Sequence, residues 1–581
     1  MRLRQGGIFW AAAALACTSI ATAQSSGNGR EGREESEKET GIPVTDALVR
    51  EKCGTCHQPD DKGNLSRISW MRTTPEGWAQ AIKRMVTLNG LSISAEESRA
   101  VVRSLAASHG LAPEEAIPVA YIPEKRIITE SNIPNDEVRG ACASCHAFGQ
   151  PLSWRRSGQE WKYLQDFHVA LYSQAQAQYN RTGGGSGGRG SGGGGEGGRT
   201  PTNGEVALEY LRKNAPLHTP EWASWSARSA APRLGGTWLV TASLPGKGRF
   251  VGTMEIDATS SAEEFTTRTN IHSLTGDSAQ SREGMGLVYG GFMWRGRSAG
   301  EGAGRTPDDP LSMARETLHF AADQQSAEGR WFWGEYNEFG YDVRLVRATA
   351  APAILAVAPG AVRAGSKGIE VTVWGHNLPA SPDAAQIGLG GGLSVTGVVS
   401  ASAEKLVLTV DAADDAPSGP RDVSIGGAVL EKAFPVYSKV DFIKVTPETG
   451  LARLGGEKFA KGFQQFEAIG FEFGPDGKPD TADDVAIGPV DVTWSTEEFP
   501  SVYYDDDAKF VGNLDQDALF TPALEGPNPA RRFGRNNYGE VWVVATAKDE
   551  KDKFGRPLSG RAYLVVTVPS YQRWDQPEVS Q

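Results

Sequence analysis

Cys53-Gly54-Thr55-Cys56-His57 and Cys142-Ala143-Ser144-Cys145-His146 are one pentapeptide pattern, Cys-x-x-Cys-His, written twice in a chain of 581 residues. The spacing suits covalent attachment of a c-type haem: two thiols take up the vinyl groups and the adjoining histidine ligates the iron. Together the two motifs use every cysteine except Cys17. A single zinc site built from the four thiolates is the competing reading, and it leaves both histidines without a role. Two covalent haem c groups are therefore expected, on Cys53 and Cys56 and on Cys142 and Cys145, with His57 and His146 as iron ligands. Haem c units are small and helical, so the N-terminal part is read as an all-α dihaem cytochrome c domain.

The segment around the motifs is an internal repeat, and the repeat points to the sixth ligands. The first motif is followed by Arg72-Thr73-Thr74-Pro75-Glu76-Gly77-Trp78, the second by Arg155-Arg156-Ser157-Gly158-Gln159-Glu160-Trp161. Each has an acid one or two places before Trp and opens a helix. Seven residues past each Trp stands a side chain able to bind iron, Met85 in the first half and His168 in the second. Seven residues is about two helical turns, so Trp and ligand share a face. The pairs expected are His57/Met85 and His146/His168, with Trp78 and Trp161 packing the haem pockets. Thioether ligation raises the reduction potential relative to bis-histidine, which would give electron flow a direction. Other roles stand beside these: Met85 as core of an amphipathic helix, Met71 as a rival ligand, His168 as a surface histidine. His109, just before Gly110, reads as a helix C-terminal histidine favoured by the dipole.

The N-terminus reads as an export signal. Arg2 and Arg4 precede an apolar run, Ile8 to Ala16, too short to span a bilayer, and Ala21-Thr22-Ala23 is a cleavage site before Gln24. Cleavage would remove Cys17; retention of Cys17 as a lipidated N-terminus fits poorly with Ala14-Leu15-Ala16. An exported protein of the periplasm, without a membrane span, is expected. The net charge of −12 argues against nucleic acid as a partner. Residues 24–40 are polar and charged and read as disordered, and the Gly-rich tract from Gly183 to Gly198 as a flexible loop.

Beyond about residue 200 short alternating apolar runs replace helical periodicity. The domain plan read from these changes is a signal at 1–23, a disordered stretch at 24–40, the dihaem domain at 41–180 and a Gly-rich loop at 181–204. An antiparallel β-barrel follows at 205–349, then two immunoglobulin-like sandwiches at 350–437 and 438–571, and a tail at 572–581. The barrel's tryptophans read as packing. The acidic stretch Asp476 to Asp484 reads as a hairpin loop rather than a calcium site, since it lacks the EF-hand pattern. The histidines of this part, His218, His272, His319 and His376, stand apart from one another. Gly388-Leu389-Gly390-Gly391-Gly392 has no following helix and is no dinucleotide fingerprint. No catalytic residues are assigned.

The order of parts, two tandem haem c units with the Arg72-Thr73-x-x-Glu76-x-Trp78…Arg84-Met85 pattern followed by a barrel and two sandwiches, resembles the α subunit of quinohemoprotein amine dehydrogenase. The resemblance covers residues 41 to 571, with its specific motifs confined to the haem region. It implies a periplasmic heterotrimer in which a small partner subunit carries a cysteine tryptophylquinone and a β-propeller-like subunit completes the assembly. Primary amines would be oxidised at the quinone, and electrons would pass through the haems of this chain to a soluble cytochrome c or a blue-copper protein. It implies an oxidoreductase subunit that itself lacks the substrate site. A stand-alone dihaem electron-transfer protein and a dihaem peroxidase-type enzyme are the alternatives; sixth ligands on both irons speak against the latter.

Overall fold

The computed structural model describes residues 39–120, 133–183, 199–276, 278–302, 304, 306–501 and 504–569. The signal segment with Cys17, all but the end of 24–40, nearly all of the Gly-rich tract and the 572–581 tail lie outside these residues.

The N-terminal part is built from short, well-capped helices. Helix α1 (Ala47–Cys53) is capped by Asp46, whose carboxylate accepts from Val49 N at 2.9 Å, and it delivers the first motif at its C-terminal end. Helix α2 (Pro75–Asn89) starts on Thr74 with Pro at its first position and stops at Gly90, where φ is +70°. Helix α3 (Ala95–Ser108) opens with a reciprocal Ser94/Glu97 capping box. Then come α4 (Pro113–Ala116), α5 (Asp136–Val138) running into a π-turn at Arg139–Ala143 that holds Cys142, α6 (Gly149–Leu152), α7 (Gly158–Leu171) and α8 (Ser173–Tyr179). Helices α9 (Asn203–Asn214) and α10 (Pro220–Ser226) complete the set.

The two halves of the repeat meet across a local two-fold. Strand β1 (Met71–Thr73) pairs antiparallel with β2 (Trp154–Arg156), Arg72 opposite Arg155. These are the residues that superposing Trp78 on Trp161 makes equivalent. The domain is thus not all-α: this ladder stitches its halves together. Both guanidinium groups converge on buried Glu115: Arg72 Nη1 lies 2.7 Å from Oε2, and Arg155 Nε 3.0 Å from Oε1.

Equivalence extends to the tryptophans. Trp78 Nε1 donates to His109 O at 3.0 Å and Trp161 Nε1 to Ala215 O at 2.9 Å, and each acceptor is the C-cap of a helix, α3 and α9 respectively. Helix α9 is therefore the counterpart of α3. It even repeats the capping box, with Thr202 and Glu205 in place of Ser94 and Glu97. Helix α9, beyond the Gly-rich tract, thus packs on the second half of the repeat. The barrel correspondingly begins at Gly236 rather than near 205.

Eight strands close that barrel in chain order: β3 (Gly236–Leu244), β4 (Gly248–Ala258), β5 (Glu264–Ser273), β6 (Ala279–Tyr289), β7 (Met293–Gly300), β8 (Ala314–Phe320), β9 (Ser326–Trp333) and β10 (Phe339–Arg347), with β10 returning to β3. Its core holds Trp238, Trp294 and Trp331, all fully buried, so the tryptophans do pack the interior. Gly286 makes room for one of them: a Cβ there would lie 2.0 Å from Trp294 Cζ2. The outer face contributes Leu287, Tyr289, Phe292 and Met293 to the same core as Val101, Val102 and Leu105 of α3. Haem domain and barrel thus share hydrophobic packing, and one buried ion pair, Glu76 with Arg295, is sealed between them.

Two further β units follow. In the first, a four-stranded sheet (Ala353–Ala358, Ile369–His376, Lys405–Ala412, Leu393–Ala401) and a three-stranded one (Ile387–Gly388, Val423–Ile425, Ala428–Leu430) share one core. In the second, Thr449–Arg453, Pro557–Thr567, Gly539–Lys551 and Val492–Glu498 form one sheet over a common core with Phe442–Thr446, Glu467–Glu472 and Val485–Pro489. Among the described residues no helix is long and apolar enough to cross a membrane.

Candidate haem sites and the family of the chain

At the first motif the chain leaves α1 in a tight turn, His57 N donating to Cys53 O at 2.9 Å. His57 Nδ1 lies 2.8 Å from Ser66 O. A carbonyl oxygen only accepts, so the neutral ring carries its proton on Nδ1 and its lone pair on Nε2, the state in which imidazole binds iron. Cys53 is half-buried against the core around Val49 and Trp78, and burial, with Cys56 beside it, pushes its thiol up to about 11. Met85 lies half-buried two turns beyond Trp78 on α2, its Sδ 3.8 Å from Asn89 Nδ2. Its rival Met71 is committed elsewhere: its side chain packs against the cores of both halves, and its sulfur accepts from Arg156.

The second set is gathered around one cavity of about 480 Å³. Cys142, Cys145, His146 and His168 all line it, together with Trp154 and Trp161. His168 Nδ1 is 2.8 Å from Leu164 O, which again assigns the proton to Nδ1 and leaves Nε2 for a metal. His146 Nδ1 lies 3.1 Å from Ala147 O. Burial pushes the Cys142 thiol up to about 12. Two thiols and two imidazoles around one space, with Trp154, Trp161, Leu208 and Leu211 among its walls, fit a covalently attached haem. The walls come from both halves of the repeat: Gln80 and Arg84 of α2 on one side, Leu208 and Leu211 of α9 on another. Those residues were missed in the sequence, although the repeated capping box would have shown α9.

The competing zinc site is not formed. Among the described residues only Asp505, Asp506 and Asp507 are close enough together to share a metal ion. Arg531 and Arg535 already neutralise them, with Arg531 Nη2 2.8 Å from Asp506 Oδ1. The Asp476–Asp484 stretch joins two strands as a hairpin loop. Its carboxylates accept from its own backbone, Thr481 N at 2.8 Å from Asp484 Oδ2 and Lys478 N at 2.8 Å from Asp476 Oδ1.

His109 is the C-cap of α3, yet it is not a solvated cation at a helix end. It is fully buried, Nε2 3.0 Å from Ile42 O and Nδ1 2.8 Å from Ser108 Oγ, and burial lowers its pKa to about 4. With both ring nitrogens engaged it is not an iron ligand either.

Comparison with known families matches this architecture part by part. Four models, all of the quinohemoprotein amine dehydrogenase α subunit, match in register: haem binding at residues 44–182, domain II at 231–348, domain III at 351–438 and domain IV at 443–579. The chain belongs to that family. It is thus a subunit of an oxidoreductase complex, carries a haem-binding domain and has an electron-transfer role. The resemblance read from the Arg-Thr-x-x-Glu-x-Trp pattern is borne out, and the 231–348 match coincides with the closed barrel. No curated protein matches the chain. Solved structures similar in part include a de novo designed fluorescence-activating β-barrel (19% identity, 21% of this chain and 98% of that one, TM-score 0.16). Human protocadherin-24 EC1-2 (12%, 38% and 99%, TM-score 0.15) and Yersinia pseudotuberculosis InvD (11%, 40% and 62%, TM-score 0.13) are others. At such scores they carry no argument.

Proposed function

We propose that this chain is the dihaem electron-transfer subunit of a periplasmic quinohemoprotein amine dehydrogenase. Cys53 and Cys56, with His57 and Met85 as iron ligands, would hold one haem c, and Cys142 and Cys145, with His146 and His168, the other. When bound, the haems supply one-electron relay chemistry. The observation that carries the reading is the wall they share. Helix α2 packs Trp78 into the core that also holds Cys53 of the first motif, and lines the cavity of the second with Gln80 and Arg84. Trp78 also meets Trp154 of the second site edge-on, ring centroids 6.2 Å apart. Helix α2 and this tryptophan pair thus connect the surroundings of the two motifs. The first site, with its thioether, has the higher potential and is the exit for electrons.

The electrons come from a cysteine tryptophylquinone on a small partner subunit, formed as primary amines are oxidised, and leave to a soluble cytochrome c or a blue-copper protein. A β-propeller-like subunit completes the trimer. The two units at 353–437 and 442–567 are immunoglobulin-like sandwiches that serve as scaffold, and this chain has no substrate site of its own. Purification from periplasm with haem staining and mass analysis tests the reading. Two haems on this chain together with a small quinone-staining partner are expected. Two haems on a solitary chain would leave electron transfer and remove the amine chemistry.

A further inference from the structure

The cavity that holds Cys142, Cys145, His146 and His168 is lined by two arginines, Arg84 and Arg156, and by no aspartate or glutamate. Arg156 is only 5% exposed. Its guanidinium lies over the Trp154 ring, 4.2 Å from the centroid, with Trp161 at 5.5 Å, and Nη1 reaches Met71 Sδ. Its Nε is buried without a hydrogen-bond partner, and no carboxylate stands within ion-pair distance of it among the described residues. Glu160, the acid that acts on it most strongly, is instead bound to Arg67 at 2.8 Å. A buried guanidinium with neither counterion nor full hydrogen bonding is costly, and folds retain one where an anion completes it.

We propose that Arg156, with Arg84 on the same cavity wall, holds the propionate carboxylates of the haem attached at Cys142 and Cys145. This rests on the second site being a haem site and adds to it which side chains neutralise the group. The chemistry agrees: a planar guanidinium with free N–H groups matches a carboxylate, and two cations match two propionates. Burial lowers the pKa of Arg156 to about 9, in keeping with a guanidinium withdrawn from water. The assignment also gives Arg156 a role in potential. A fixed positive charge beside the haem favours the ferrous state, so removing it favours the ferric one.

The test uses the haem-loaded chain with Arg156→Gln and Arg156→Lys. Haem attachment at each motif is first verified by mass analysis of haem peptides. Spectroelectrochemical titration then reads the two midpoints, and resonance Raman reads the propionate bending band of the second haem. Arg156→Gln is expected to shift that haem's equilibrium about tenfold towards ferric, about 59 mV for a one-electron couple, and to displace the propionate band. Arg156→Lys should recover most of both. If Arg156→Gln fails to fold, the more exposed Arg84→Gln is expected to give a smaller shift in the same direction. A loaded Arg156→Gln (or, in its place, Arg84→Gln) with unchanged midpoint and unchanged propionate band overturns the proposal. So does a midpoint shift with the propionate band unmoved, because the anion met by the arginines would then be a partner's carboxylate and not the haem's own. A wild-type chain without haem at Cys142 and Cys145 overturns instead the reading on which it rests.

Discussion

His109 and His319 are imidazoles that folding removes from water, and both lose basicity for that reason, to about 4 and about 3. In each case the folded pKa lies below the ordinary value near 6.5. The unfolded chain therefore binds more protons than the folded one as pH falls below that value. Their contribution to stability is full above about pH 6.5 and is lost as pH drops through 4 towards 3. For His109 the displacement is worth about 3 kcal/mol. The urea midpoint is expected to fall steadily between pH 6.5 and 4, and His109→Gln to flatten that slope; an unchanged slope would show that His109 is charged in the fold. Met85 gives a second prediction at this scale. Met85→His should lower the higher of two haem potentials and abolish the thioether-to-ferric charge-transfer absorption. If that absorption persists, another sulfur ligates the first iron.

At the scale of elements the seam between the two half-repeats is decisive. Strands β1 and β2 are too short to hold by hydrogen bonds alone, and Glu115 closes them by pairing with Arg72 and Arg155 at once. Burial opposes its charge, but the Arg72 and Arg155 guanidinium groups keep the carboxyl below its usual range. Glu115→Gln would leave two guanidinium groups facing each other, at a cost of about 3–5 kcal/mol. Hydrogen exchange is expected to accelerate in α2 and α7 together; acceleration in one alone would contradict a shared seam. Most of this level was legible in the sequence, since caps, Pro and Gly signals act locally. The capping box of α9 is local too, but its place is not: its contact with α7 and the Trp161 indole joins segments on either side of the Gly-rich tract.

Across the whole molecule the haem domain is anchored to the barrel by shared apolar packing and by Glu76 with Arg295. Both partners are about 4% exposed. Burial disfavours the Glu76 carboxylate, and Arg295 overcomes it, holding its pKa below the ordinary value. Glu76→Gln would take the carboxylate from the buried Arg295 guanidinium and is expected to cost about 3–5 kcal/mol. Limited proteolysis should then release the helical part before the barrel; simultaneous loss of both would show that they unfold as one unit. The sequence by itself determined the two Cys-x-x-Cys-His motifs, the helix starts and the change from helices to strands, because motif spacing, capping and periodicity are properties of neighbouring residues. Only the tertiary structure decided that Arg72 faces Arg155, that Arg84 of the first half lines the cavity of the second, and that His109 is neutral. Those depend on burial and on contacts between residues far apart in the chain, and a charge or an imidazole changes its meaning when water is removed from it.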